Sequence, residues 1–161
     1  MSLRKPLVIV SGQIQQLQST DTLDVTAVGG GDVVSVTNDE VAPIVIGTPV
    51  YSDAADGVKK AKGDAGSTKD VIGLVQQASI TNATAGMVQV NGILTASTAQ
   101  WDAVFGTTGG LTFKTRYYLS AATAGLATAT APSSVGQYVV ELGIALSTTE
   151  LVIDIKSPIL L

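Results

Sequence analysis

Neither cysteine nor histidine occurs among the 161 residues. That removes disulfides, the Ser-His-Asp triad, the Cys nucleophile, the haem-binding His and zinc sites built from the usual ligands. Aromatic residues make up only 4%, with a single Trp, and charged residues only 14%, where an ordinary soluble domain carries about 25%. With mean hydropathy at +0.38, much of the surface must be Ala, Thr, Ser, Gly and Val, which suits burial against partners. Nine basic residues against thirteen acidic ones give a net charge of −4, and the basic ones are spread along the chain. Phosphate contact needs clustered Lys or Arg, so no nucleic acid partner is expected. Long apolar runs are lacking too. The longest near the N-terminus is Leu7 to Val10, well short of the roughly 20 residues of a membrane helix or the 7 to 15 of a signal-peptide core, so neither membrane nor export is expected.

What is present is a strand signal. Short runs of Val, Ile, Thr and Tyr alternate with Gly, Asn, Asp and Pro clusters about every ten residues. The pattern predicts strands near 32–37, 42–46, 49–51, 58–62, 71–76, 86–94, 117–119, 126–130, 138–145 and 151–155. Met87-Val88-Gln89-Val90-Asn91 and Leu151 to Lys156 alternate apolar with polar, as half-buried strands do. The expected fold is all-β, a jelly-roll-like β-sandwich or barrel with one short helix and an extended N-terminal arm. The helix is expected over Ser97 to Gly106, with Ser97 or Thr98 as N-cap and Gly106 as C-cap. It sets Trp101 and Phe105 at i and i+4, either as a plug closing one end of a barrel or as an aromatic shelf for a ligand.

Residues 1–31 read as an arm and hinge ahead of a domain over 32–161. Met1 to Pro6 is basic, Leu7 to Val10 apolar, Gly12 to Gln18 rich in Gln, and Gly29-Gly30-Gly31 makes a flexible joint. The apolar segment is either the first strand of the domain's own sheet or a strand for another chain. The candidate partner-binding residues are Arg4, Lys5, Leu7, Val8, Ile9, Val10, Ile14 and Leu17. Lys59 to Asp70 alternates in sign and is expected to be a solvated hairpin rather than an anion site. In the Ala/Thr-rich stretch 121–131, Gly125 is expected to turn a second hairpin.

No catalytic signature stands out. Gly29-Gly30-Gly31-Asp32 lacks the Lys-Ser/Thr pair of a phosphate loop and precedes a Val-rich strand. Asp53, Asp56 and Asp64 are too irregular for a calcium loop. Glu40, Asp102, Glu141, Glu150 and Asp154 share no motif that would set two acids across a cleft. No enzymatic activity, cofactor or metal is expected.

The opening segment Pro6 to Leu23 resembles one common in virion proteins of tailed bacteriophages. Gly47-Thr48-Pro49-Val50-Tyr51, Val71-Ile72-Gly73-Leu74-Val75, Gly86 to Gly92, Tyr117-Tyr118-Leu119-Ser120 before Gly125-Leu126, and Val140 to Ser147 resemble the small β-domain of phage decoration and fibre proteins. The resemblance implies a structural protein made in the host cytoplasm and placed on the outer capsid surface. There it would act as a decoration, or cement, protein whose partners are the major capsid protein and itself, as dimer or trimer. A tail or fibre component is the neighbouring expectation, less well suited to 161 residues without a shaft. A host-surface glycan-binding module is a further one, with Trp101, Tyr117 and Tyr118 as its platform.

Overall fold

The computed structural model describes residues 31–161 except Ala65, together with the backbone of two strands within the first 30 residues, β1 (Leu7–Val10) and β2 (Gln13–Gln16). These two pair antiparallel as a hairpin, Leu7 opposite Gln16 and Val10 opposite Gln13.

The domain is all-β with one α-helix, and its strands sort into two main bodies. The first is a closed five-stranded barrel of β3 (Val33–Asn38), β6 (Gly57–Lys60), β5 (Pro49–Ala54), β7 (Val71–Val75) and β9 (Ala85–Gln89), in that order around the wall. All neighbours are antiparallel except β3 and β6, whose parallel pairing of Thr37 with Gly57 and Asn38 with Val58 closes the ring. A small barrel leaves room only for side chains. Its interior is filled by Val36, Val50, Val58, Val75 and Val88, joined by Ile44 and Ile80 from the short ribbon of β4 (Ile44–Val45) and β8 (Ser79–Ile80). Asn38, fully buried at that end, donates from Nδ2 to the carbonyls of Ile80 (2.8 Å) and Ala42 (3.1 Å) and accepts from the Glu40 N–H at Oδ1 (2.7 Å).

The second body is an open sheet in the order β10 (Gly92–Thr95), β15 (Glu150–Ile153), β14 (Glu141–Ala145), β11 (Arg116–Leu119), β12 (Ala127–Thr128). A ribbon of β13 (Tyr138–Val139) and β16 (Ile159–Leu160) lies apart from it in pairing. Period-2 alternation joins the two bodies: Val50 and Val75 point into the barrel, while Tyr51 and Leu74 point outward into a larger core shared with Leu94, Leu119, Leu142 and Leu151 of the sheet.

Helix α1 (Thr98–Phe105) has the expected caps. Ser97 and Gln100 form a reciprocal capping box, and Gly106 ends the helix at φ 61°. Its Trp101, Val104 and Phe105 are buried in the shared core, with the Trp101 and Phe105 rings edge to face at 4.9 Å. The pair therefore does not plug the barrel, whose interior seven aliphatic side chains already occupy. It fills the seam between barrel and sheet.

Other expectations are corrected. The single strand expected over 86–94 breaks in two, because Gly92 turns the chain at φ +82° and carries it from barrel to sheet. The expected strand 138–145 divides at Val140 for the same kind of sheet change. The solvated hairpin expected over 59–70 is instead a connection: Ala61 is fully buried, the Gly63 N–H donates to the Ser120 carbonyl, and a 3₁₀ turn spans Gly66–Lys69. Gly31, expected to be part of a free hinge, is wedged against the β9–β10 turn. A Cβ there would lie 1.5 Å from the Asn91 carbonyl oxygen, and one on Gly92 2.4 Å from the Gly31 Cα, so only glycine fits either position.

Candidate interaction surface

The acids singled out by sequence are scattered, and each is engaged locally. Glu40 accepts the Lys60 N–H (3.0 Å), Glu141 pairs with Arg116, Glu150 accepts from Ser147 (3.1 Å), and Asp154 pairs with Lys156 (2.6 Å). Asp102 on α1 closes the following loop, taking the Thr107 hydroxyl (2.7 Å) and the N–H groups of Gly110 (2.8 Å) and Gly109 (3.0 Å). The Thr107 hydroxyl foremost, then these backbone donors, hold its carboxyl below the usual carboxylate range. On the barrel wall Lys59 bridges to Asp53 at 2.6 Å, lowering the Asp53 carboxyl and raising its own ammonium. Burial, and then the hydrogen bond to Asp53, push the Tyr51 hydroxyl up, away from use as an acid near neutrality. Among the described residues no three Asp or Glu side chains converge as metal ligands, and no helix is long and apolar enough to cross a membrane.

Trp101 and Tyr117 are both fully buried. The indole Nε1 donates to the Thr149 carbonyl (3.0 Å), and the Tyr117 hydroxyl accepts the Thr112 N–H (2.9 Å). Neither ring has a face for a ligand, so the platform of Trp101, Tyr117 and Tyr118 is not assembled, nor is the aromatic shelf. Sequence could not reveal this, since an i, i+4 aromatic pair has the same spacing whether it faces a core or a cleft.

Open grooves mark the surface of the described residues. One of about 340 Å³ lies between Asp70–Ile72 and Ile155–Pro158; its Asp70 and Lys156 are tied to Lys69 and Asp154. A second of about 270 Å³ is lined by Ser, Thr and Ala beside β12. A third of about 240 Å³ runs between Val45, Ala78 and the outer face of α1 at Ala99 and Ala103.

The open sheet offers something different. Register carries a row of side chains across its outer face, from Ile93 through Val152 and Ile144 to Arg116, with Leu146 beyond. Ile93 and Leu146 are 40% and 42% exposed. β10 forms one border of this face and, among the described residues, pairs with β15 alone. This edge was missed in sequence because a strand's place in its sheet leaves no local mark. Of the candidate arm residues, Leu7, Val8, Ile9 and Val10 fall in β1 and Ile14 in β2, while Arg4, Lys5 and Leu17 lie outside the described residues. The arm enters the domain at the end of β10: the Asp32 N–H donates to Asn91 Oδ1 (2.9 Å), Asn91 Nδ2 to Asp32 Oδ2 (2.6 Å), and the Val90 N–H to the Asp32 carbonyl.

No protein-family model and no curated protein sequence matches the chain.

Proposed function

We propose that the chain is a virion structural protein of tailed bacteriophages, a decoration (cement) protein that sits on the outer capsid surface and ties neighbouring major capsid subunits together. The observation that carries this reading is the combination of an edgeless barrel, an open sheet bordered by an uncharged edge strand, and an apolar arm entering beside that edge. Such a molecule is equipped for contact rather than for turnover. The phage-like segments fall on its framework: 71–75 is β7, 86–92 is β9 with its turn, and 140–147 contains β14.

The mechanism is multivalency. Each copy touches more than one capsid subunit and is linked to other copies, so parting the subunits under internal pressure breaks several contacts together. The arm supplies one of them by adding an extended apolar strand to a neighbouring chain, where main-chain hydrogen bonds give affinity that does not depend on charge. Arg4 and Lys5 meet acidic surface beside it.

Purified protein mixed with capsids lacking it tests the reading by sedimentation. Co-pelleting at fixed stoichiometry, reduced by deletion of residues 1–28, is the expected result. Protein that stays in the supernatant at every concentration refutes it and turns attention to tail attachment or to sugars.

A further inference from the structure

We infer that the open edge of β10 receives the Leu7–Val10 strand of a second copy of this chain, so that the arm of one subunit extends the sheet of the next. The inference rests on the reading of the arm as a strand donor and names its acceptor.

The edge is unsatisfied in a specific way. In the antiparallel register of β10 with β15, Ala96 donates its N–H to the Thr149 carbonyl, so alternate residues Leu94 and Gly92 also face β15. Ile93 and Thr95 then turn their N–H and C=O groups away from β15. Open edges are ordinarily protected by a charge, a proline or a bulge. Gly92-Ile93-Leu94-Thr95 has no charge and no proline, and its ladder runs without a register shift.

The donor has the complementary need. A two-stranded ribbon is marginal in water and needs a third strand or a packed face. Leu7-Val8-Ile9-Val10 is apolar at every position, so either face of it favours burial, and its four residues match the four of β10. In the single chain β1 pairs with β2 and β10 with β15, with no pairing between the two sets. Pairing between copies satisfies both. Geometry permits it: the arm leaves the domain at Gly31, packed on Gly92 at the start of the acceptor edge. Residues 17–30 reach up to about 46 Å when extended. Exchange of arms within a closed ring, two-fold or three-fold, leaves no open end.

Because the chain lacks cysteine, single thiols can report the contact. Full-length chains carrying Ile9→Cys and Ile93→Cys are purified separately, mixed, and treated with a short bis-maleimide, without capsids. Crosslinked dimers are expected in the mixture and in neither chain alone. By light scattering the unsubstituted chain is expected to be a dimer or trimer and Ile93→Lys a monomer, while Val45→Lys, at a site 41% exposed on the barrel side, keeps the larger mass. An unsubstituted chain that is monomeric at all concentrations overturns the inference. So does the absence of crosslinked dimers from the mixture, or a Val45→Lys variant as disruptive as Ile93→Lys. Crosslinking does not depend on how well the lysine variants fold. Monomers that still pellet with capsids refute this inference and spare the cement reading; oligomers that remain in the supernatant do the reverse.

Discussion

The barrel and the open sheet solve the same problem in opposite ways. The barrel closes on itself through the parallel pairing of β3 with β6, so its wall has no free edge, and β-branched side chains with few rotamers fill its interior. The sheet stays open, and its core is built on large side chains: Trp101, Phe105 and Tyr117 in an edge-to-face chain with centroid separations of 4.9 Å, among leucines from four strands. A closed body supplies rigidity and no place to add a strand. An open one supplies edges, and in this molecule the arm enters at one of them. The two halves are coupled by the seam into which the barrel wall sends Tyr51 and Leu74.

The largest effect should come from breaking that seam. Trp101→Ala removes a fully buried ring and one of the two donors to the Thr149 carbonyl, and is expected to cost about 3 to 5 kcal/mol. Chemical denaturation should still show one transition, because both bodies border the cavity; two separated transitions would show the halves to be independent. Inside the barrel, Ile80→Ala is expected to cost about 2 to 5 kcal/mol. Its side chain packs on Gly86, where an added Cβ would stand 2.4 Å from Ile80 Cγ1. Gly86→Ala alone should therefore destabilise, and partial rescue in the double variant with Ile80→Ala, measured as a thermodynamic cycle, would localise the strain to that pair.

Asn38→Ala removes the side-chain partner of the buried Ile80 carbonyl, of the Ala42 carbonyl and of the Glu40 N–H, and is expected to cost about 1 to 3 kcal/mol. Hydrogen exchange should show the loss first at the β4–β8 ribbon, with the open sheet little affected. The smallest effect concerns Asp102. Its folded-state pKa lies below the ordinary value of 3.8, so its stabilising share is complete above that value and is lost as pH falls through the lower folded one. Asp102→Asn should flatten the acid limb of the stability curve in that window and leave it unchanged near neutrality apart from a constant offset.

The legibility of the fold varied with how local its causes are. The helix from Ser97 to Gly106 could be read residue by residue, since a capping box and a left-handed glycine act within a few positions. Strands of the barrel were visible as Val-rich runs, and the turn at Asn91-Gly92 carried its usual dipeptide signal, although the strand was expected to run through it. The ribbons of β4 with β8 and β13 with β16 were harder, because two residues are too few to show a period. The segment 59–70 misled through its charges: Ala61 and Gly63 between the lysines hold the joint of two bodies, and polarity around them hid that burial.

The sequence by itself determined the class of the molecule, the helix and its caps, the apolar arm, and the absence of cysteine and histidine. All of these depend on residue types and on spacings of a few positions. Only the tertiary structure decided that Trp101 lies in a seam and not on a surface, that five strands close while five others remain open, and that the arm arrives beside an uncharged edge. Those outcomes depend on which distant segments pair, Val33 with Gln89 or Gly92 with Ile153, and long-range pairing is set by the total burial of both partners rather than by anything written in either alone.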